Sequence, residues 1–467
     1  MAFYRHFYPM SARFLPLATL ALLITLLSLP TVALAVPVED GHGLTEESPL
    51  LQEDIKGLVP DLILNQRGLS RVWHTQAAVD ANRSHVVGVS QYLSSDRVIT
   101  EYIVKFDGGD VRFSAGQLNR YGEPIDDATA KAKANDYVKK VERLGGTAEL
   151  IIQAAPECTL YVSTDRATLQ AIDMHTGRSL WVSRAGSVAF PAFTPAANEK
   201  YVAHVNGSTL YLFEASTGKM LWSKLMRGAP SASPAITKSM VVVPMVNGTV
   251  EMYPLVDKGE EVLYYQGLGR ALHPPVNTNN RLVWATKTGN LYINSQLSRD
   301  LSFRVEIHEE IVSAPGFSGN RVYLTSVDGY LYAVGELTGK TDWRFSTGEP
   351  IGQTPFTHQD AVYVVTDMGT LYKVNQELGD EVWKADKVEK VVAATKDRLY
   401  GLSLGGTHLL QFDLVSGNLV GKIPLNDVSL IHVNQETNRI ILGTESGLIQ
   451  CIKSLSDDPL SSLRPKG

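Results

Sequence analysis

Residues 327–345 read VDGYLYAVGELTGKTDWRF, and this stretch decides the fold. Gly329 sits in a turn, and Leu331 and Ala333 then fall on one side of an alternating run. A Thr-Gly pair follows at Gly339, and Trp343 lies in the next run. Period-two alternation between turn glycines is the pattern of antiparallel strands joined by tight turns. The same phrase recurs as TLYVSTDRATLQAIDMHTGRSLWVS (159–183), STLYLFEASTGKMLWSK (208–224) and DMGTLYKVNQELGDEVWKA (367–385).

The recurrence has a period. The second turn glycine falls at Gly177, Gly218, Gly259, Gly339, Gly379 and Gly417, spaced by 38 to 41 residues with one gap of 80. That gap holds a degenerate copy around Arg299. Four residues after the glycine stand Trp181, Trp222, Leu263, Trp343 and Trp383. A proline near the start of each copy, at Pro191, Pro234, Pro275, Pro315 and Pro355, keeps the same register. A period of roughly 40 residues holding four short strands is one blade of a β-propeller. The recurrent Trp is large enough to fill the wedge between neighbouring blades.

Seven second-turn positions lie between 177 and 417, counting the degenerate one, and an eighth copy, RIILGTESGLIQCIKS (439–454), stops before an outer strand. GLSRVWHTQ (68–76) supplies one, with Trp73 in the place of the recurrent Trp. The expectation is therefore an all-β, eight-bladed propeller, over 69–94 and 158–454, closed by an N-terminal strand. Residues 95–157 do not read as a blade. They read as a strand at 98–106, a turn at Asp107–Asp110 and a strand at 111–114. A helix near 126–144, capped by Asp126 or Asp127, and a strand near 148–153 follow. This is a small α+β insertion in blade 1. Its helix turns Ala134, Tyr137, Val141 and Leu144 to one face and stops at Gly145.

The N-terminus reads as a targeting segment. Arg5 and Arg13 precede an uncharged apolar run that ends at Ala33-Leu34-Ala35, a small-x-small cleavage pattern. Residues 1–35 are thus expected to be a signal peptide cut after Ala35; the run is also long enough to remain as an anchor. Residues 36–68 form a linker or helical segment, and 455–467 a flexible tail. Export places the protein in the periplasm or cell envelope.

Composition narrows the function. Lys and Arg total 43 against 49 Asp and Glu, for a net charge of −6, so there is no basic excess to coat a nucleic acid. Two cysteines, Cys158 and Cys451, exclude a disulfide scaffold, a zinc ribbon and a CxxCH haem site. The readings for the pair are two half-buried strand thiols or one long-range disulfide. Eleven histidines show no metal-binding spacing, and His273, His308 and His358 fall near blade-linking turns.

AIDMHTGRSLW (171–181), LFEASTGKMLW (212–222) and AVGELTGKTDW (333–343) resemble the pyrroloquinoline-quinone (PQQ)-type β-propeller repeat. The resemblance covers 69–94 and 158–454, and the whole chain is similar to exported PQQ-like propeller proteins of planctomycete-type bacteria. It implies two roles. One is a non-catalytic binding scaffold, such as the BamB-type outer-membrane protein assembly factor, without cofactor. The alternative is a quinoprotein dehydrogenase holding PQQ and calcium. Such enzymes typically carry an adjacent cysteine pair, a catalytic Asp and acidic calcium ligands. The adjacent pair is missing from this sequence.

The expectation is thus a scaffold for envelope or outer-membrane proteins. It touches membrane only through them or through an uncleaved N-terminus. No catalytic, cofactor or metal residues are expected. The one candidate partner-binding set is Arg184, Arg227 and Arg270, which precede the repeat prolines in successive linkers. On one face near the central channel they would form an arc that recognises carboxylates.

Overall fold

The computed structural model describes residues 55–80, 83–107, 109–256, 259, 261–279, 281–296, 301–307, 309–456 and 460–461. The expected signal peptide and its cleavage site, most of the 36–68 linker, Arg299 and His308 lie outside these residues. Among the described residues, no helix is long and apolar enough to cross a membrane.

Among the described residues, eight antiparallel sheets follow one another along the chain, seven of four strands and one of five. Sheet 1 spans 86–184, sheet 2 196–225, sheet 3 235–266 and sheet 4 276–306. Sheet 5 spans 316–346, sheet 6 356–385 and sheet 7 388–424. Sheet 8 joins three strands of 430–454 to the strand Leu69–Gln76. In that sheet Leu69 lies opposite Ser454 and Gln76 opposite Leu448. First strands of neighbouring sheets lie against one another from sheet 1 to sheet 4 and between sheets 5 and 6, which leaves the last strand of each as the outer one; in sheet 8 the strand Leu69–Gln76 takes that place.

The recurrent tryptophans join sheet to sheet. Trp181 Nε1 donates to Ala215 O at 2.8 Å, Trp222 to Leu255 O at 3.1 Å, Trp343 to Gln376 O at 3.2 Å and Trp383 to Leu414 O at 3.1 Å. Each indole thus reaches a carbonyl of the following sheet. Trp73 does the same from sheet 8 to sheet 1, donating to Met174 O at 2.7 Å. The rings of Trp73, Trp181, Trp343 and Trp383 lie over the turn glycines Gly177, Gly218, Gly379 and Gly417. The degenerate fourth copy uses Phe303, whose ring covers Gly339.

Sheet 7 has no aromatic residue at this position, where Gly421 stands. The N-terminal segment fills the space. A short helix, α1 (Asp61–Gln66), and its flanks place Val59, Leu64 and Leu69 in one apolar cluster with Tyr400, Leu409, Ile440 and Ile452 of sheets 7 and 8. Gln411 Nε2 donates to Arg67 O at 3.1 Å, and Gln450 Nε2 donates to Gly57 O at 2.9 Å.

The insertion is not a separate unit on a loop; the two first strands of sheet 1 run on into it. Val86–Phe106 is one strand of 21 residues and Ala148–Thr164 one of 17. Their ladder shifts register between Val86 and Gly88 and again between Leu93 and Val98, where Ser94 Oγ accepts from Asp96 N and Arg97 N. It then resumes at Val98 opposite Pro156 and continues to Phe106 opposite Ala148. A turn mediated by a serine hydroxyl lets the ladder bend without ending. Gly109–Ser114 adds an edge strand. Helix α2 (Asp127–Arg143), capped by Asp126 accepting from Thr129 N at 2.8 Å, packs Ala130 and Ala134 on Tyr102, Val104 and Ile125. Leu144, expected on the buried face, is exposed at the helix end.

The tail expected at 455–467 is not free of the sheets throughout. Leu460 is buried in the cluster between sheets 8 and 1, and Ser461 N donates to Asn438 Oδ1 at 3.0 Å.

Candidate functional site

The insertion bends back toward the outer strand of sheet 8. A cavity of about 1150 Å³ lies there, lined by the insertion, Leu69–Gln76, the turn Met174–Ser179 and the end of the chain. Its charged lining is cationic in excess. Arg71, Arg112, Arg178, Arg439 and Lys453 face it, against Glu101 and Asp110.

Local structure places these groups. Asp173 closes the turn of sheet 1, its carboxylate accepting from His175 N at 2.9 Å and Thr176 Oγ1 at 2.7 Å. The fixed turn carries His175 inward, where Nδ1 lies 3.0 Å from Glu101 Oε1 and Nε2 lies 3.0 Å from Pro156 O. Glu101 comes from the extended first strand, and Arg112 from the edge strand beside it. Arg112 meets Glu101 at 3.3 Å and Asp110 at 2.7 Å, and Lys453 of sheet 8 meets Asp110 at 2.8 Å. One ion-pair network therefore ties the insertion to the closing pair of strands.

The electrostatics follow from burial. Desolvation alone raises the Glu101 carboxyl; the His175 hydrogen bond and the charges of His175, Arg112 and Arg439 outweigh it and hold it below its ordinary value. Asp110 behaves alike, with Lys453 and Arg112 as the lowering partners. Burial pushes Lys453 down, and Arg112 adds to that. Arg71 is also lowered by burial despite Asp61 at 3.0 Å and the bond to Val59 O, and His74 is lowered by burial and by Arg71.

The arginines singled out in the sequence lie elsewhere, and not at equivalent positions. Arg184 stands opposite Thr168 at the end of an outer strand. The matching positions in sheets 2 and 3 are Leu225, opposite Thr209, and Gln266, opposite Thr249. Arg227 lies beyond the first and Arg270 further beyond the second, so counting back from the prolines misaligned them. The Arg227 guanidinium stacks 3.9 Å over the ring of Tyr264 in the outer strand of sheet 3. Arg270 is exposed.

Cys158 and Cys451 are both buried and free, in the cluster between sheets 1 and 8, so the long-range disulfide is not formed. Burial raises both thiols, Cys451 to about 12, which leaves them unreactive. His273 Nε2 lies 2.7 Å from Val312 O, and His358 Nε2 lies 3.0 Å from Thr395 O. Among the described residues, no group of three or more His, Cys, Asp or Glu side chains is placed to hold a metal ion.

A family model described as outer membrane protein assembly factor BamB matches residues 132–252, 256–353 and 328–441. Among solved structures, BamB from Moraxella catarrhalis aligns with a TM-score of 0.54 at 13% identity, over 64% of this chain and 93% of that one. The computationally designed Ika8 protein aligns with a TM-score of 0.51 at 16% identity, over 63% of this chain and 92% of that one. At such identities the likeness is one of fold. No curated protein matches the sequence significantly. The family match begins inside helix α2 and runs through sheet 8 as far as Ile441, well over half of the chain. With the indole-over-glycine joints between successive sheets, this places the chain in the PQQ-like β-propeller family described as outer membrane protein assembly factor BamB.

Proposed function

We propose that this protein is an exported, non-catalytic scaffold that holds protein partners in the cell envelope, in outer-membrane protein assembly or a neighbouring task. The observation that carries the reading is the family match along sheets 2 to 7 and parts of sheets 1 and 8. Sheets locked by repeated indole joints give a rigid body whose connecting loops are free to vary, which suits recognition. Export rests on the sequence of residues 1–35. We further read the eight sheets as eight blades closed by Leu69–Gln76. The strand's pairing with Leu448–Ser454 and the reach of Trp73 to Met174 support that reading. Arg184 and Arg270 enter only as separate exposed cations that steer an acidic partner.

Cross-linking in intact cells, followed by capture of the protein from the envelope fraction, tests the scaffold role. Enrichment of outer-membrane proteins or their assembly partners is expected. Enrichment of no envelope protein over a capture with an unrelated exported protein overturns it. The absence of an enzyme activity is tested separately by adding PQQ and calcium to the purified chain. Dye reduction with alcohols or sugars would replace the scaffold with the dehydrogenase.

A further inference from the structure

The cationic cavity is independent of the scaffold reading. Its parts come from different elements, within the repeat and outside it. Arg112 comes from the insertion, Arg178 from a turn of sheet 1, Arg71 from the N-terminal strand, and Lys453 from the last strand. The carboxylates present are already committed, Glu101 to His175 and Arg112, Asp110 to Arg112 and Lys453. Arg178 is left over. Its Nε is buried without a hydrogen-bond partner, and so is the Nε of Arg71. A buried guanidinium nitrogen without its hydrogen bond is costly, and an oxyanion repairs this best, because its oxygens match the fork of donors. The volume is of the order of small-molecule sites.

We propose that this cavity binds a small molecule bearing a phosphate or carboxylate group, with Arg178 and Arg71 as the principal donors to it. Burial lowers Arg71, His74 and Lys453, which agrees with a desolvated cationic lining. The neighbouring ion pairs position the insertion, and the anion completes the charge balance between insertion and sheet 8.

Calorimetry on the whole protein, in a buffer without oxyanions, tests this with inorganic phosphate and with citrate. Saturable binding of at least one probe is expected, and R178A should bind roughly ten- to hundredfold more weakly, the loss of a charge-assisted contact. R178K, which keeps the charge and loses the fork, should fall between, and R184A should bind as the parent does. Circular dichroism of each variant checks that it is folded. Sedimentation with phosphatidylglycerol vesicles separates two sources of the same chemistry. Co-sedimentation that phosphate competes away assigns a lipid headgroup; phosphate binding without co-sedimentation assigns a soluble ligand. No saturable heat with either probe at millimolar concentration, or equal affinity in folded R178A, overturns the proposal.

Discussion

At the scale of single residues, the joint between sheets is an indole lying on a glycine. Gly379 has φ +77°, and a Cβ there would stand 2.6 Å from Trp343 Cδ2. Gly348 has φ +73°, but its Cβ would meet nothing within 4 Å. Replacing Gly348 by Ala should therefore cost only the backbone strain, about 1–2 kcal/mol. G379A should cost about 1–3 kcal/mol more, because the indole must move as well. Urea unfolding of both variants measures the difference, and equal losses would show that the ring yields freely. A second residue-scale expectation concerns pH. Burial pushes His204, His358 and His432 down to about 4. The unfolded imidazoles take up protons near 6.5, whereas the folded ones resist until about 4. The unfolded chain then binds more protons, so stability is complete above that window and falls as pH drops through it. Each group contributes about 1.4 kcal/mol per pH unit there. The urea midpoint should be lower at pH 5 than at pH 7, and equal midpoints would contradict the burial of these rings.

Elements differ in how far the sequence announces them. The repeated Thr-Gly and Trp marks are local, so seven copies and a displaced outer strand are legible at 68–76. Phe303 stands four residues after Arg299, where the fourth copy lacks its turn glycine, so the count that finds the tryptophans also reaches it. The insertion's helix is announced by Asp126 and by its alanine face. The continuity of its strands with sheet 1 is not, because the serine turn at Ser94 looks like a strand end. That continuity changes what excision should do. Joining Ser94 to Pro156 cuts the ladder where it already slips, so sheet 1 keeps its pairs from Val86–Thr164 to Leu93–Cys158. The shortened protein should retain its β-sheet circular dichroism. Its melting temperature should fall, because Asp110 no longer pairs with Lys453, which stays buried. Aggregation during refolding would show instead that the insertion is part of the core.

Over the whole molecule, the least legible feature is the cavity. Its charged residues come from four stretches separated by dozens to hundreds of positions, and no spacing rule joins Arg71 to Lys453. The exposed arginine arc was the converse case: a regular spacing in sequence that the strand register dissolves. The N-terminal strand links these scales. A chain that begins at residue 80 loses Trp73, Leu64 and Val59, and with them the packing on sheets 1, 7 and 8. The loss of a buried Trp alone costs about 3–5 kcal/mol, so this truncated chain should melt well below the full one or fail to fold. An unchanged melting temperature would mean that sheet 8 stands without its outer strand. Where that strand begins has a mechanical consequence. Leu69 enters the pair beside Ser454, where its partner leaves. Tension between those two points loads the rungs of the ladder one at a time, like the teeth of a zip, so the body gives way first at this seam and at low force.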